Sequence, residues 1–70
     1  MHLLINGRDR EFDSLDQDPR LTHLVELLQL KPDRIAIEHN GEIVARSARE
    51  GTTLHPGDKL EIVQFVGGGC

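Results

Sequence analysis

The apolar positions of this chain alternate, fall into a helical stripe, and then alternate again. Residues 1–6, MHLLIN, are rich in strand formers, and Asn6-Gly7 is the dipeptide that most favours a tight type I′ hairpin. REFD, from Arg10, predicts a short return strand with Phe12 pointing inward, and SLDQDP reads as a loop. Asp18 suits a helix N-cap. Pro19 suits the first helical position, where its missing N–H would be unpaired in any case. Leu21, Leu24, Val25 and Leu28 make the i, i+3, i+4, i+7 stripe of an amphipathic helix of about three turns, which Lys31-Pro32 ends.

Alternation then returns. RIAIEH is a strand with Ile35 and Ile37 on one face, and a second Asn-Gly pair, Asn40-Gly41, turns the chain into the strand EIVARS. EGTTLHPGD is a connection with a Pro56-Gly57 turn, and KLEIVQFV is the last strand. One helix with one apolar stripe covers one face of one sheet. The expected fold class is therefore α+β, a mixed sheet with one main helix packed across it, with no internal repeat. The domain is expected to span residues 1–66, followed by a flexible glycine tail at 67–70.

Seventy residues make one domain near the lower end of what folds without staples. A lone cysteine cannot pair within the chain, and no signal peptide or membrane-length apolar stretch is legible, so cytoplasmic residence is expected. The net charge is −4, with no basic block and no interleaved aromatics, which argues against nucleic acid as a partner. An acidic small domain suggests docking on a larger, locally basic protein.

Catalytic candidates are sparse. His2, His23, His39 and His55 are scattered without metal-ligand spacing and read as surface or boundary residues, His23 facing solvent, so no metal site is expected. Glu26, Asp33, Glu42 and Asp58 read as helix-surface, loop or turn residues, and paired catalytic carboxylates need a cleft. No glycine-rich phosphate loop joins a strand to a helix. An enzyme is not expected.

The C-terminus carries the remaining signal. Along the last strand Leu60 and Ile62 share one face, while Val63 and Phe65, with Val66, share the other beside the tail. That second face is either a docking patch or covered by loops. Gly67, Gly68 and Gly69 lack a Cβ and can thread a channel too narrow for any side chain. A frayed terminus is the plain alternative.

LLINGR, IAIEHNGEIVARS and HPGDKLEIVQFVGGG together resemble the ThiS family of bacterial sulfur carriers, ubiquitin-like β-grasp proteins of thiamine biosynthesis. The resemblance covers nearly the whole chain. It implies that an E1-like, ThiF-like adenylyltransferase uses ATP to activate the carboxyl of a terminal glycine. A sulfur donor such as a cysteine desulfurase then leaves a thiocarboxylate, and a ThiG-like thiazole synthase takes its sulfur. The chain itself binds no cofactor on this reading; ATP belongs to the adenylating enzyme. The family's terminal diglycine aligns with Gly68-Gly69, with Gly67 as spacer, so the reactive carboxyl is assigned to Gly69, and partner docking to Val63, Phe65 and Val66.

Two positions depart from the family pattern. Ala45 stands where many relatives place proline. Cys70 leaves Gly69 in an amide bond, and three readings stay open: a masking residue removed by a processing protease, a remnant, or a thiol that takes the acyl group itself. Alternative fates for the same tail are sulfur delivery to cysteine, methionine or molybdopterin synthesis, and ubiquitin-like conjugation to lysines.

Overall fold

The computed structural model describes residues 1–65. Five strands form one sheet: β1 (His2–Ile5), β2 (Arg8–Glu11), β3 (Ile35–His39), β4 (Glu42–Val44) and β5 (Lys59–Gln64), in the order β2-β1-β5-β3-β4. β5 is central. It runs parallel to β1 and antiparallel to β3, and the two outer pairs are antiparallel hairpins. One helix, α1 (Leu21–Leu27), supplies the crossover side of the fold. This is the expected α+β architecture, a mixed sheet with one helix.

Both hairpins form as their turn residues dictate. Asn6 and Gly7 carry φ of 51° and 82°, and Asn40 and Gly41 carry 51° and 91°, the left-handed pair a type I′ turn demands. A two-residue turn pairs Ile5 with Arg8, so β2 begins two residues earlier than the REFD reading and ends before Phe12. Phe12 is half-buried against the core, with the Arg10 guanidinium 5.3 Å from its ring centroid. Pro56-Gly57 also turns as expected: the Asp58 N–H donates to the His55 carbonyl at 3.0 Å, and Gly57 has φ 88°.

The sheet's inner face contributes Leu3, Ile5, Ile35, Ile37, Leu60 and Ile62, which pack under Leu21, Leu24 and Val25 of α1. Leu15 and Leu54 close the ends of this core, although both lie in segments read as loop or connection. Leu15 is carried inward by a 3₁₀ turn over Asp13–Asp16. The Leu54 N–H donates to the Pro19 carbonyl at 2.6 Å, which holds its segment beside the start of α1.

The helix differs from the expected one at both ends. Its N-cap is Arg20, with no side-chain cap bond, and Asp18 and Pro19 precede it. Asp18 instead accepts from the Arg20 guanidinium at 2.6 Å through both carboxylate oxygens. The Arg20 N–H bond then holds Asp18 below its ordinary carboxylate pKa. At the C-terminal end Gln29 adopts φ 59°, and the Leu30 and Gln29 amides donate to the Val25 and Glu26 carbonyls at 3.2 and 3.0 Å. That is a Schellman closure, so the helix stops before Lys31-Pro32 is reached. EIVARS is likewise strand only to Val44, and Arg46–Ala48 form a 3₁₀ turn.

Candidate functional site

The chain's tail leaves from β5, so the site is built on what fixes that strand. Asn6 and Asn40, besides making the turns, each clip β5 with a side chain. The Asn6 amide donates to the Ile62 carbonyl at 3.0 Å, and its Oδ1 accepts the Ile62 N–H at 2.7 Å. Asn40 Oδ1 accepts the Lys59 N–H at 2.9 Å while its own N–H donates to the Lys59 carbonyl at 2.8 Å. β5 is therefore held near both ends by its two flanking hairpins. The Phe65 N–H adds a bond of 2.7 Å to the Arg34 carbonyl.

Alternation along β5 places the side chains. Ile62 points into the core, 8% exposed, and Val63 on the opposite face is 59% exposed beside Ala36 of β3. Phe65 is 54% exposed and lines a hollow at the strand's end with Leu30, Lys31 and Arg34. Val66, Gly67, Gly68, Gly69 and Cys70 lie outside the described residues, as does the 66/67 boundary of the domain. Ile43, which the sequence reading did not single out, is 71% exposed. It pairs with Glu38, which pairs with Glu61, so Ile43 and Val63 share the sheet's uncovered face. The signal for Ile43 was the Asn40-Gly41 turn, which pairs His39 with Glu42 and so sends every second residue of β4 outward.

The polar groups elsewhere are structural. His39 Nε2 lies 2.6 Å from Asp58 Oδ2, which also accepts the His55 N–H at 2.9 Å; Asn40 donates to Asp58 Oδ1 at 3.2 Å. Burial pushes the Asp58 pKa up, but these hydrogen bonds outweigh it and leave the carboxyl below its ordinary value. The pair sits at the end of the sheet away from the Phe65 exit, where it binds the β5 entry to the β3–β4 turn. His23 does not face solvent freely: its Nδ1 lies 2.8 Å from the Asp18 carbonyl, and its side chain is 20% exposed. His2 and His55 are exposed.

Arg49 is 4% exposed and has no carboxylate partner among the described residues. Its Nη1 and Nη2 donate to the Pro32 and Ile35 carbonyls at 2.8 and 2.9 Å, and burial, then Arg46, lower its pKa. It staples the turn before β3 from behind. No group of three histidine, cysteine or carboxylate side chains lies together among the described residues. No helix among them is long and apolar enough to cross a membrane.

The chain matches the ThiS family model over residues 3–69. It is 39% identical over 69 residues to a thiazole synthase of Paramagnetospirillum magneticum, covering 99% of this chain and 20% of that protein. A thiazole synthase of Magnetococcus marinus is 30% identical over the same length, with the same coverage. The chain thus spans about a fifth of the curated relatives it matches. Among solved structures, the crystal structure of the thiamine biosynthesis protein ThiS from Geobacter metallireducens superposes with a TM-score of 0.80 at 32% identity, covering 99% of this chain and all of that one. A solution structure of a thiamine biosynthesis protein from the same organism gives 0.77 at 31% identity, covering 100% of this chain and 90% of that one. The mixed five-stranded sheet with one helix thus matches the β-grasp fold of these thiamine biosynthesis proteins, and the chain belongs to the ThiS family.

Proposed function

We propose that this chain is a sulfur carrier of thiamine biosynthesis whose reacting group is the carboxyl of Gly69. The observation that carries this reading is the match to the ThiS family, which runs to Gly69 and leaves only Cys70 beyond it. The folded body ends in a strand clipped by Asn6 at Ile62, and the first of the glycines, Gly67, follows five residues later. A body that docks, with an unbranched leash behind it, suits delivery of one carboxyl group into a partner's active site.

The chemistry needs no acid, base or metal from this chain. A carboxylate is a poor electrophile, so a partner adenylating enzyme first brings ATP. One Gly69 carboxylate oxygen attacks the α-phosphorus and pyrophosphate departs. The acyl-adenylate carbon then accepts sulfur from a donor system such as a cysteine desulfurase. The terminal sulfur of the donor's persulfide displaces AMP, which leaves with the bridging oxygen. A second thiol then cleaves the resulting acyl disulfide, forming a disulfide with the donor cysteine and releasing the thiocarboxylate. That soft nucleophile is passed to a thiazole synthase, a partner suggested by the proteins of that name among its relatives. Val63 and Phe65, exposed beside the exit, and Val66 are the docking residues of this cycle. Cys70 must be removed first, because an amide carbonyl at Gly69 has no oxygen free to attack ATP; a processing protease supplies that step.

The test is the intact mass of the protein isolated from its host under thiamine demand, with thiols left untreated. Loss of the Cys70 residue together with replacement of one oxygen by sulfur is the expected result. A mass retaining Cys70 without added sulfur would sink the trimmed-carrier reading, and higher-mass lysine conjugates would assign the tail to protein modification.

A further inference from the structure

The chain carries twelve acidic and eight basic side chains, yet the charges are not evenly dealt over its surface. Two adjoining hollows flank the exit end of β5 on the helix side, sharing Leu30 and Gln64. One is lined by Lys31 and Arg34 with Phe65, the other by Arg10 with Asn6. Neither has a carboxylate in its lining, whereas the concavities elsewhere hold Glu26 and Glu50, Asp13 and Asp18, or Glu38 and Glu61. Asp33, between Lys31 and Arg34 in sequence, lines neither hollow.

Among the described residues Arg20 is the only arginine or lysine in an ion pair, so Arg8, Arg46, Arg49 and Lys59 are unpaired as well as Arg10, Lys31 and Arg34. What sets Arg10, Lys31 and Arg34 apart is that no carboxylate shares the lining of their hollows. All three are exposed. Three unpaired cations around the point where the chain leaves its last anchored residue form a local positive field in an acidic protein. Sequence-averaged charge, which suggests a basic partner, has the wrong sign at this end.

We propose that Arg10, Lys31 and Arg34 form a cationic collar that docks on an acidic rim around the mouth of the adenylating enzyme's active site. The proposal rests on the carrier reading and specifies its docking electrostatics. Reach decides between a protein rim and the nucleotide. Residues 66–69 span at most about 14 Å when extended, so a tail stretched into a catalytic cleft leaves the collar well short of the phosphates. The collar meets the enzyme's outer surface, where exposed charges steer encounter and set orientation more than they add affinity.

The experiment is a calorimetric titration of the full 70-residue chain with the host's adenylating enzyme at low and high salt. The chains are the wild type, the double variant Lys31→Glu/Arg34→Glu, and Lys59→Glu at the other end of β5 as control. Wild-type affinity is expected to fall about tenfold between roughly 50 and 500 mM salt. The double variant is expected to bind about tenfold more weakly at low salt, with most of that salt dependence gone. Lys59→Glu should behave as wild type, and circular dichroism melts should show all three folded. Wild-type binding with an unaltered salt slope in the double variant would overturn the collar alone and leave the carrier reading to its mass test. Absence of wild-type binding would overturn both. Amide shifts at Lys31 and Arg34 with ATP alone would assign the hollows to the nucleotide and overturn the protein rim.

Discussion

Gln29 holds backbone angles that side chains disfavour, with φ 59°, because the Schellman closure of α1 requires a left-handed residue there. It is exposed, so its side chain offers little in return. Gln29→Gly is expected to raise stability by about 0.5–1 kcal/mol, the relief of strain exceeding the extra entropy of glycine in the unfolded chain; chemical denaturation with an unchanged m-value would show it. Asp58 is the opposite case, a residue whose side chain is fully used. Its hydrogen bonds from His39, the His55 amide and Asn40 hold its folded pKa below the ordinary 3.8. A depressed folded pKa means stability that is fully present above the unfolded value and is lost as pH falls through the folded one. Thermal melts should therefore lose stability as the solution is acidified below that carboxylate range. Asp58→Ala should cost about 2 kcal/mol at neutral pH and blunt that acid-side loss. An unaltered acid limb in the variant would show that other carboxylates govern it.

Among the elements, the two hairpins do more than reverse the chain. Asn6 supplies both a left-handed turn residue and two hydrogen bonds to Ile62, and substitution can separate these. Asn6→Gly keeps the turn and loses the clip, at an expected cost of about 1–2 kcal/mol, while Asn6→Ala adds turn strain of about 1 kcal/mol or more. Urea titrations separate the two: equal costs would mean that the turn strain adds nothing, and an Asn6→Gly variant as stable as the wild type would mean that the clip contributes nothing. At the end of β4, Ala45 sits at φ −61° and ψ 148°, and its amide donates no backbone hydrogen bond among the described residues. Ala45→Pro fits that geometry and should stabilise by about 0.4–1 kcal/mol through the unfolded chain, read as a higher denaturation midpoint. The hairpins and the inner faces of the strands were legible because Asn-Gly chemistry and period-two alternation are local, whereas the place of β5 between β1 and β3 rests on long-range pairing and was not. The clips were not, since Asn6 and Ile62 lie far apart in sequence and meet only when β1 and β5 pair in parallel. The helix was overextended for a similar reason: Leu28 continues the apolar stripe, and it packs against the core from the closing turn after α1 has ended. Leu15 and Leu54 escaped because one apolar residue in a polar segment carries no period.

At the scale of the whole molecule, β5 divides two tasks between neighbouring side chains. Ile62 belongs to a core of eleven buried aliphatic residues among the described ones, where each removed methyl is felt. Val63 and Ile43 stand on the uncovered sheet face beside Glu38 and Glu61, where nothing within the described chain packs over them. Arg10, Lys31 and Arg34 line hollows beside the end of β5 on the helix side, so the strand ends between an apolar face and a cationic edge. This arrangement predicts a clean split between folding and docking along one strand. Ile62→Ala should lose about 2–4 kcal/mol of stability, because its cavity opens in a core with little slack. Val63→Ala should change stability by less than about 0.5 kcal/mol. It should nevertheless raise the KM for adenylation, leaving kcat unchanged, since it removes a contact made equally before and during the reaction. Urea unfolding and ATP–pyrophosphate exchange on the same preparations, trimmed to end at Gly69, measure both quantities. If Val63→Ala lowered kcat and left KM alone, the uncovered face would be acting on the activated state; if it unfolded the protein, the face would belong to the core after all.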